Sequence, residues 1–135
     1  MLYSLMDIEG IGPVMAAKLK RLGIRTTAKL LEEARTAKQR KNLAAKLEVD
    51  ERVVLRWATL ADRMRIKGVG EPYANLLQVA GVDTVKELKH RNIKNLVEEL
   101  RKANLKMNLV RQPPSARRVA KWKELAKTLP PVITY

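Results

Sequence analysis

Two short turns hold the residues best suited to chemistry in this chain. The first is Gly10-Ile11-Gly12-Pro13, followed by Val14 and Met15, with Lys18 one turn on and Arg21 and Arg25 further along. The second is Lys67-Gly68-Val69-Gly70-Glu71, followed by Pro72 and Tyr73. Glycine serves where backbone must turn with φ > 0 or come close to another group. Proline just inside a helix start fits the lost N–H and the fixed φ. Each turn is therefore aimed at a helix N-terminus. Such a terminus offers N–H groups and a positive dipole end, which suit an anion such as phosphate. In a tight turn of this kind the second glycine, Gly12 or Gly70, is expected to be needed by the backbone geometry.

The turns belong to a repeat. At a constant offset of 58, Gly10 matches Gly68, Gly12 matches Gly70, Ala16 matches Ala74 and Leu19 matches Leu77. Gly23, Ile24, Thr26 and Leu30 match Gly81, Val82, Thr84 and Leu88 at the same offset. A lone Gly-x-Gly is weak evidence; this many matches at one offset make an internal repeat.

The elements that position the turns read as helices throughout. Leu2 to Asp7 forms a short first arm. Val14 to Leu22 forms the second arm, with Val14, Met15, Ala16, Leu19 and Leu22 near helical spacing. Gly23 ends it in the left-handed region. Thr26 caps a helix to about Ala34, and Thr36 caps one to about Leu47. Asp50 caps the longest helix, Glu51 to Arg65, whose stripe is Val53, Val54, Trp57, Leu60, Ala61 and Met64. That helix runs into the second turn and links the repeats. Pro72 to Ala80 follows. Thr84 caps a helix to about His90, and Asn92 caps one to about Leu105, with Leu96, Val97 and Leu100 inward. Pro113-Pro114 breaks the chain, and Ser115 caps a last helix, Ala116 to Thr128. There Val119, Trp122, Leu125, Ala126 and Leu129 repeat the earlier stripe at an offset of 65. The two tryptophans read as equivalent core residues. No segment alternates with period two for long enough to argue a sheet.

On these motifs the chain resembles the helix-hairpin-helix family, and within it the group called domain of unknown function 4332. Those proteins are similar to the helix-hairpin-helix regions of DNA polymerase beta. The resemblance implies an all-α fold of two tandem helix-hairpin-helix lobes sharing a continuous connecting helix. The first repeat takes residues 1–65, and the second takes 66–135 with an extended C-terminal tail. It also implies a hairpin that grips one strand of duplex DNA by its backbone, without reading bases. The residues it marks are Gly10, Gly12, Val14, Met15, Lys18, Arg21 and Arg25 in the first turn, and Lys67, Gly68 and Gly70 in the second. Binding hairpins of the family often place a basic or small polar residue where Val14 and Met15 stand. Glu71, directly after Gly70, repels phosphate from the second helix start.

Composition agrees with a polyanion partner. Lys and Arg total 28 against 14 acids, a formal charge of +14. The charge is spread: residues 1–67 carry 15 basic and 8 acidic side chains, and residues 68–135 carry 13 and 6. A basic folded body attracts nucleic acid. Arg52, Arg56, Arg63, Arg65 and Lys67 lie along the connecting helix, and Arg52, Arg56 and Arg63 lie within about 40° of one stripe. Arg117, Arg118, Lys121 and Lys123 crowd the last helix. Aromatics are too few for stacking on single-stranded bases.

Catalysis is not expected. There is no cysteine for a thiolate, and His90 is the sole histidine, so a histidine metal cluster is excluded. Some relatives carry a lysine that forms a Schiff base with an abasic sugar. Lys18 and Lys67 have basic neighbours, but nothing marks a base or a pocket beside them. No cofactor is implied. With no leader and no long apolar run, a cytoplasmic protein without a membrane partner is the expectation. The leading function is a non-sequence-specific module that binds double-stranded DNA. The alternative is a helical protein–protein scaffold in which the turns are structural.

Overall fold

The computed structural model describes residues 4–135; the expected first arm's Leu2 and Tyr3 lie outside the described residues. Its described part, Leu5–Asp7, is a single 3-10 turn capped by Ser4. The fold is all-α: eight α-helices follow among the described residues, with no named strand. They are α1 (Pro13–Arg21), α2 (Thr27–Glu33), α3 (Ala37–Leu47), α4 (Glu51–Arg63), α5 (Glu71–Val79), α6 (Val85–Lys89), α7 (Ile93–Met107) and α8 (Ala116–Lys127).

Local chemistry sets most of these boundaries. The side chains of Thr26, Thr36, Thr84, Asn92 and Ser115 each accept the N–H of the residue three on, satisfying a donor that the first helical turn leaves unpaired. Asp50 accepts the Arg52 N–H at 2.8 Å and starts α4. Helices α1 and α5 end alike. The Ile24 N–H reaches back to the Leu19 carbonyl and Gly23 to Lys20; Val82 and Gly81 bond Leu77 and Gln78 in the same way. This paired bond satisfies carbonyls that a helix end would otherwise leave open.

The chain forms two compact units. One comprises residues up to Asp62 together with Val132–Tyr135; the other is Arg63–Pro131. The first buries Leu5, Ile8, Ile11, Leu19, Leu30, Leu47 and Trp57. In the second, α8 packs on α6 and α7, and α5 on α7, around Ile66, Val69, Leu77, Leu88, Leu100 and Trp122. Among the described residues no helix is long and apolar enough to cross a membrane.

Several details differ from the sequence expectation. Helix α4 stops at Arg63, not Arg65, because the Ile66 N–H turns back to the Arg63 carbonyl at 3.3 Å. The longest helix is α7, at 15 residues. Val14 and Leu22 are 74% and 42% exposed, so the buried face of α1 is Ala16 and Leu19. Val53, Val97, Leu125 and Leu129 are only half-buried. The tail groups with the first unit: Thr134 N–H donates to the Arg35 carbonyl at 2.8 Å, and Arg40 Nη2 donates to the Thr134 carbonyl at 2.7 Å.

Candidate nucleic-acid interface

The two Gly-x-Gly turns are near-copies in geometry. Gly10 and Gly68 have φ of +94° and +92°. Between the glycines, Ile11 and Val69 are buried, and their N–H groups bond the Ile8 and Ile66 carbonyls at 3.1 and 3.0 Å. Each apolar residue therefore wedges its turn into its own unit. Gly12 and Gly70 then take extended backbone, φ −90° and −86°, as the N-caps of α1 and α5.

The strain thus falls on the first glycine, not the second. At Gly10 and Gly68 an L side chain meets an unfavourable φ. A Cβ there would also lie 3.4 Å from the Trp57 Nε1 and 3.6 Å from the Trp122 Nε1. At Gly12 and Gly70 the φ suits any residue, and a Cβ would meet nothing within 4 Å. The expectation that Gly12 and Gly70 are required by backbone geometry is corrected. Each instead leaves backbone bare at a helix start, with open space over it.

In the first turn the expected site residues divide. Gly10, Gly12, Val14 and Met15 lie together at the start of α1. Gly12 supplies no side-chain cap, so the Val14 and Met15 N–H groups precede the first intrahelical bond and have no acceptor within the helix. Val14 is exposed and Met15 half-buried. Lys18 stands one turn on, half-buried. Arg21 and Arg25, both exposed, sit at the far end of α1, roughly 13 Å from Gly12 by helical rise. One phosphate cannot touch both ends.

The second turn differs in its surroundings. Lys67 and Gly68 are exposed and Gly70 is half-buried. Helix α5 carries no cation: the places of Lys18, Lys20 and Arg21 are taken by Leu76, Gln78 and Val79, and Leu76 is fully buried. Glu71 is its first residue and sets a carboxylate on the positive end of the helix. A cation is nevertheless built nearby from another helix. The Arg118 guanidinium lies 4.5 Å over the Tyr73 ring and 5.6 Å over that of Trp122, and Arg118 Nη1 donates to the Tyr73 hydroxyl at 3.0 Å. Tyr73 meets Trp122 edge-on, with ring centroids 5.5 Å apart. Sequence reasoning missed this group. The signal for it was Tyr73 in the place that Met15 holds in the first repeat.

The basic stripe expected along the connecting helix is not a stripe. Arg63 is buried; Arg63 Nε donates to the Ala74 carbonyl at 2.8 Å and Nη1 to the Asp83 carbonyl at 2.7 Å. Arg65 donates to the Pro130 carbonyl. Arg52 pairs with Asp50, and this hydrogen-bonded pairing holds the Asp50 carboxyl below its usual range. Arg56 is exposed. On α8, Lys123 Nζ is engaged by the Arg91 carbonyl at 2.8 Å, while Arg117 and Lys121 are exposed. Other cations are held in short surface pairs, Lys29 with Glu33, Arg101 with Glu98 and Lys127 with Glu124. Such pairs add little stability. No group of His, Cys, Asp and Glu among the described residues could hold a metal ion.

Fold and site together define an all-helical protein that presents two glycine-bared helix starts, one per unit. The family model described as Domain of unknown function (DUF4332) matches residues 9–129, and the chain belongs to that family. No curated protein and no solved structure matches it.

Proposed function

We propose that this protein is a non-sequence-specific DNA-binding module that holds the duplex backbone at the Gly10–Met15 turn. Its units are read as two helix-hairpin-helix lobes, similar to the helix-hairpin-helix regions of DNA polymerase beta. The observation that carries the proposal is Gly12. The fold does not need glycine there, yet glycine keeps the start of α1 bare, with nothing within 4 Å of a Cβ. Backbone N–H groups at such a start suit a phosphate, and Lys18 adds a cation one turn away. Phosphate contacts of this kind fix position without carrying sequence information. The net charge of +14 supplies attraction over the whole body. No catalytic step is part of the proposal.

A duplex titration at two salt concentrations tests it. Binding through several phosphates falls steeply as salt rises. We expect weak, sequence-independent duplex binding with that dependence, stronger than binding to a single strand at equal salt. Salt-insensitive binding, or a preference for single strands, would sink the proposal. One observation favours the scaffold reading instead. Val14, 74% exposed at the tip of the turn, offers apolar surface where a phosphate-gripping hairpin would more naturally place a polar residue. A protein contact made there would survive high salt.

A further inference from the structure

Building on the DNA-binding reading, we infer that the second unit contacts nucleic acid through a side chain rather than through its helix start, and that Arg118, held by Tyr73, is that contact. In the first unit the phosphate partners would be backbone N–H groups at an uncharged start. In the second, Glu71 puts a carboxylate in the first helical turn, Pro72 in the place of Val14 has no N–H to offer, and α5 has no cation to follow. A backbone grip there is opposed by charge. The Gly68 turn lies against Trp122, Trp122 against Tyr73, and Arg118 over both rings. The guanidinium is thus anchored in the same cluster as the turn, while Arg118 as a whole remains exposed.

Three features suit Arg118 to a phosphodiester. It has five N–H donors in a planar fork, and the Tyr73 hydroxyl takes one of them, leaving others to pair with phosphate oxygens. Ring contacts limit the freedom the side chain would lose on binding. The first unit has nothing equivalent, since the places of Tyr73 and Arg118 are Met15 and Val53. The repeat therefore supplies one backbone-type contact and one side-chain contact. Tyr73 is a positioning residue, acting through Arg118.

The two tryptophans allow a direct test on the full chain, because each indole Nε1 lies beside one turn. Two indole N–H resonances are assigned with the Trp57→Phe and Trp122→Phe variants, and the wild type is titrated with a short duplex. We expect both resonances to move. In Arg118→Gln the Trp122 resonance should stop responding while that of Trp57 still moves, with about a tenfold loss of affinity and a salt slope lower by about 1. Arg118→Lys should not restore the loss, and Tyr73→Phe should reproduce part of it, because the ring remains but the hydroxyl acceptor is gone. Movement of the Trp57 resonance alone in wild type overturns this inference and leaves the DNA-binding proposal standing. A Trp122 response that persists in Arg118→Gln also overturns it, as does an equal loss from neutralising Lys41, an exposed cation on α3 of the first unit, as Lys41→Gln. If neither resonance moves, the DNA-binding proposal fails, and this inference with it.

Discussion

Trp57 stands against Gly10, and the same contact recurs 65 residues on, where Trp122 stands against Gly68. The offset between the glycines is 58 and that between the tryptophans is 65, so the second unit reaches the same contact with a longer path between turn and helix. Both tryptophans are buried, at 3% and 2% exposure. The indole closes over the side of the turn where a Cβ would emerge, and so ties the turn's shape to the core of its unit.

This contact separates the glycines in each pair. Gly10→Ala and Gly68→Ala should each cost about 1–3 kcal/mol, from the positive φ and the crowded indole. Gly12→Ala and Gly70→Ala should stay within about 1 kcal/mol of wild type, since loss of a tolerable N-cap glycine is offset by lower unfolded-chain entropy. Thermal melting of the four variants reads this directly. On the same samples, Gly12→Ala should lose duplex affinity without losing stability. Unchanged affinity would remove the first turn from the interface.

Charge reversal should act in opposite senses at the two helix starts. Lys18→Glu should weaken duplex binding and lower the salt slope by about 1 or more. Glu71→Lys should strengthen binding, because it replaces repulsion with attraction. It should also cost about 0.3–1 kcal/mol of stability, since a carboxylate is the preferred charge at a helix N-terminus. Affinity and melting temperature moving in opposite directions for Glu71→Lys is the diagnostic result.

Arg63 should behave as a structural residue. Arg63→Met leaves the Ala74 and Asp83 carbonyls without their buried donor and should cost roughly 2–4 kcal/mol. Duplex affinity per folded molecule should be unaffected. An Arg63→Met protein that melts like wild type but binds DNA poorly would return this residue to the interface.

Arg40 should hold the tail. It is buried and donates to the Ala34, Arg35 and Thr134 carbonyls. Burial depresses its pKa from the ordinary arginine range, but arginine remains charged at any working pH. Arg40→Met should raise amide hydrogen exchange at Thr134 and cost about 1–3 kcal/mol. Exchange at Thr134 as slow as in wild type would show that the tail is held by other contacts.

Acid should act through the surface carboxylates. Arg52 holds the Asp50 carboxyl below its usual range by side-chain and then backbone hydrogen bonds, while Arg101 and Lys127 lower Glu98 and Glu124 by side-chain hydrogen bonds and charge attraction. A depressed folded-state pKa gives stability that is present above the unfolded value and lost as pH falls through the folded one. The loss should therefore run downward from about pH 4, where such carboxyls titrate when unfolded. Asp50→Asn keeps a good N-cap acceptor but loses the charge paired with Arg52, so it should flatten the acid limb of a melting-temperature profile by lowering its neutral end slightly while leaving the acid end unchanged.

What the sequence alone determined is what depends on neighbours in the chain. Thr26, Thr36, Thr84, Asn92 and Ser115 announced helix starts because a capping side chain reaches only three residues on. Gly23 and Gly81 announced helix ends for the same reason, and the repeat marked Trp57 and Trp122 as equivalent core residues. The tertiary structure alone decided matters that depend on distant backbone. Arg63 looked like one of a row of surface cations, but its acceptors, Ala74 and Asp83, lie 11 and 20 residues away. Arg40 bonds Thr134 across 94 residues. Which glycine of each pair carries the positive φ was hidden too, because the indole against it arrives from a helix some fifty residues later. A guanidinium reads the same in sequence whether it faces water or a carbonyl; only the fold brings up the acceptor that decides which.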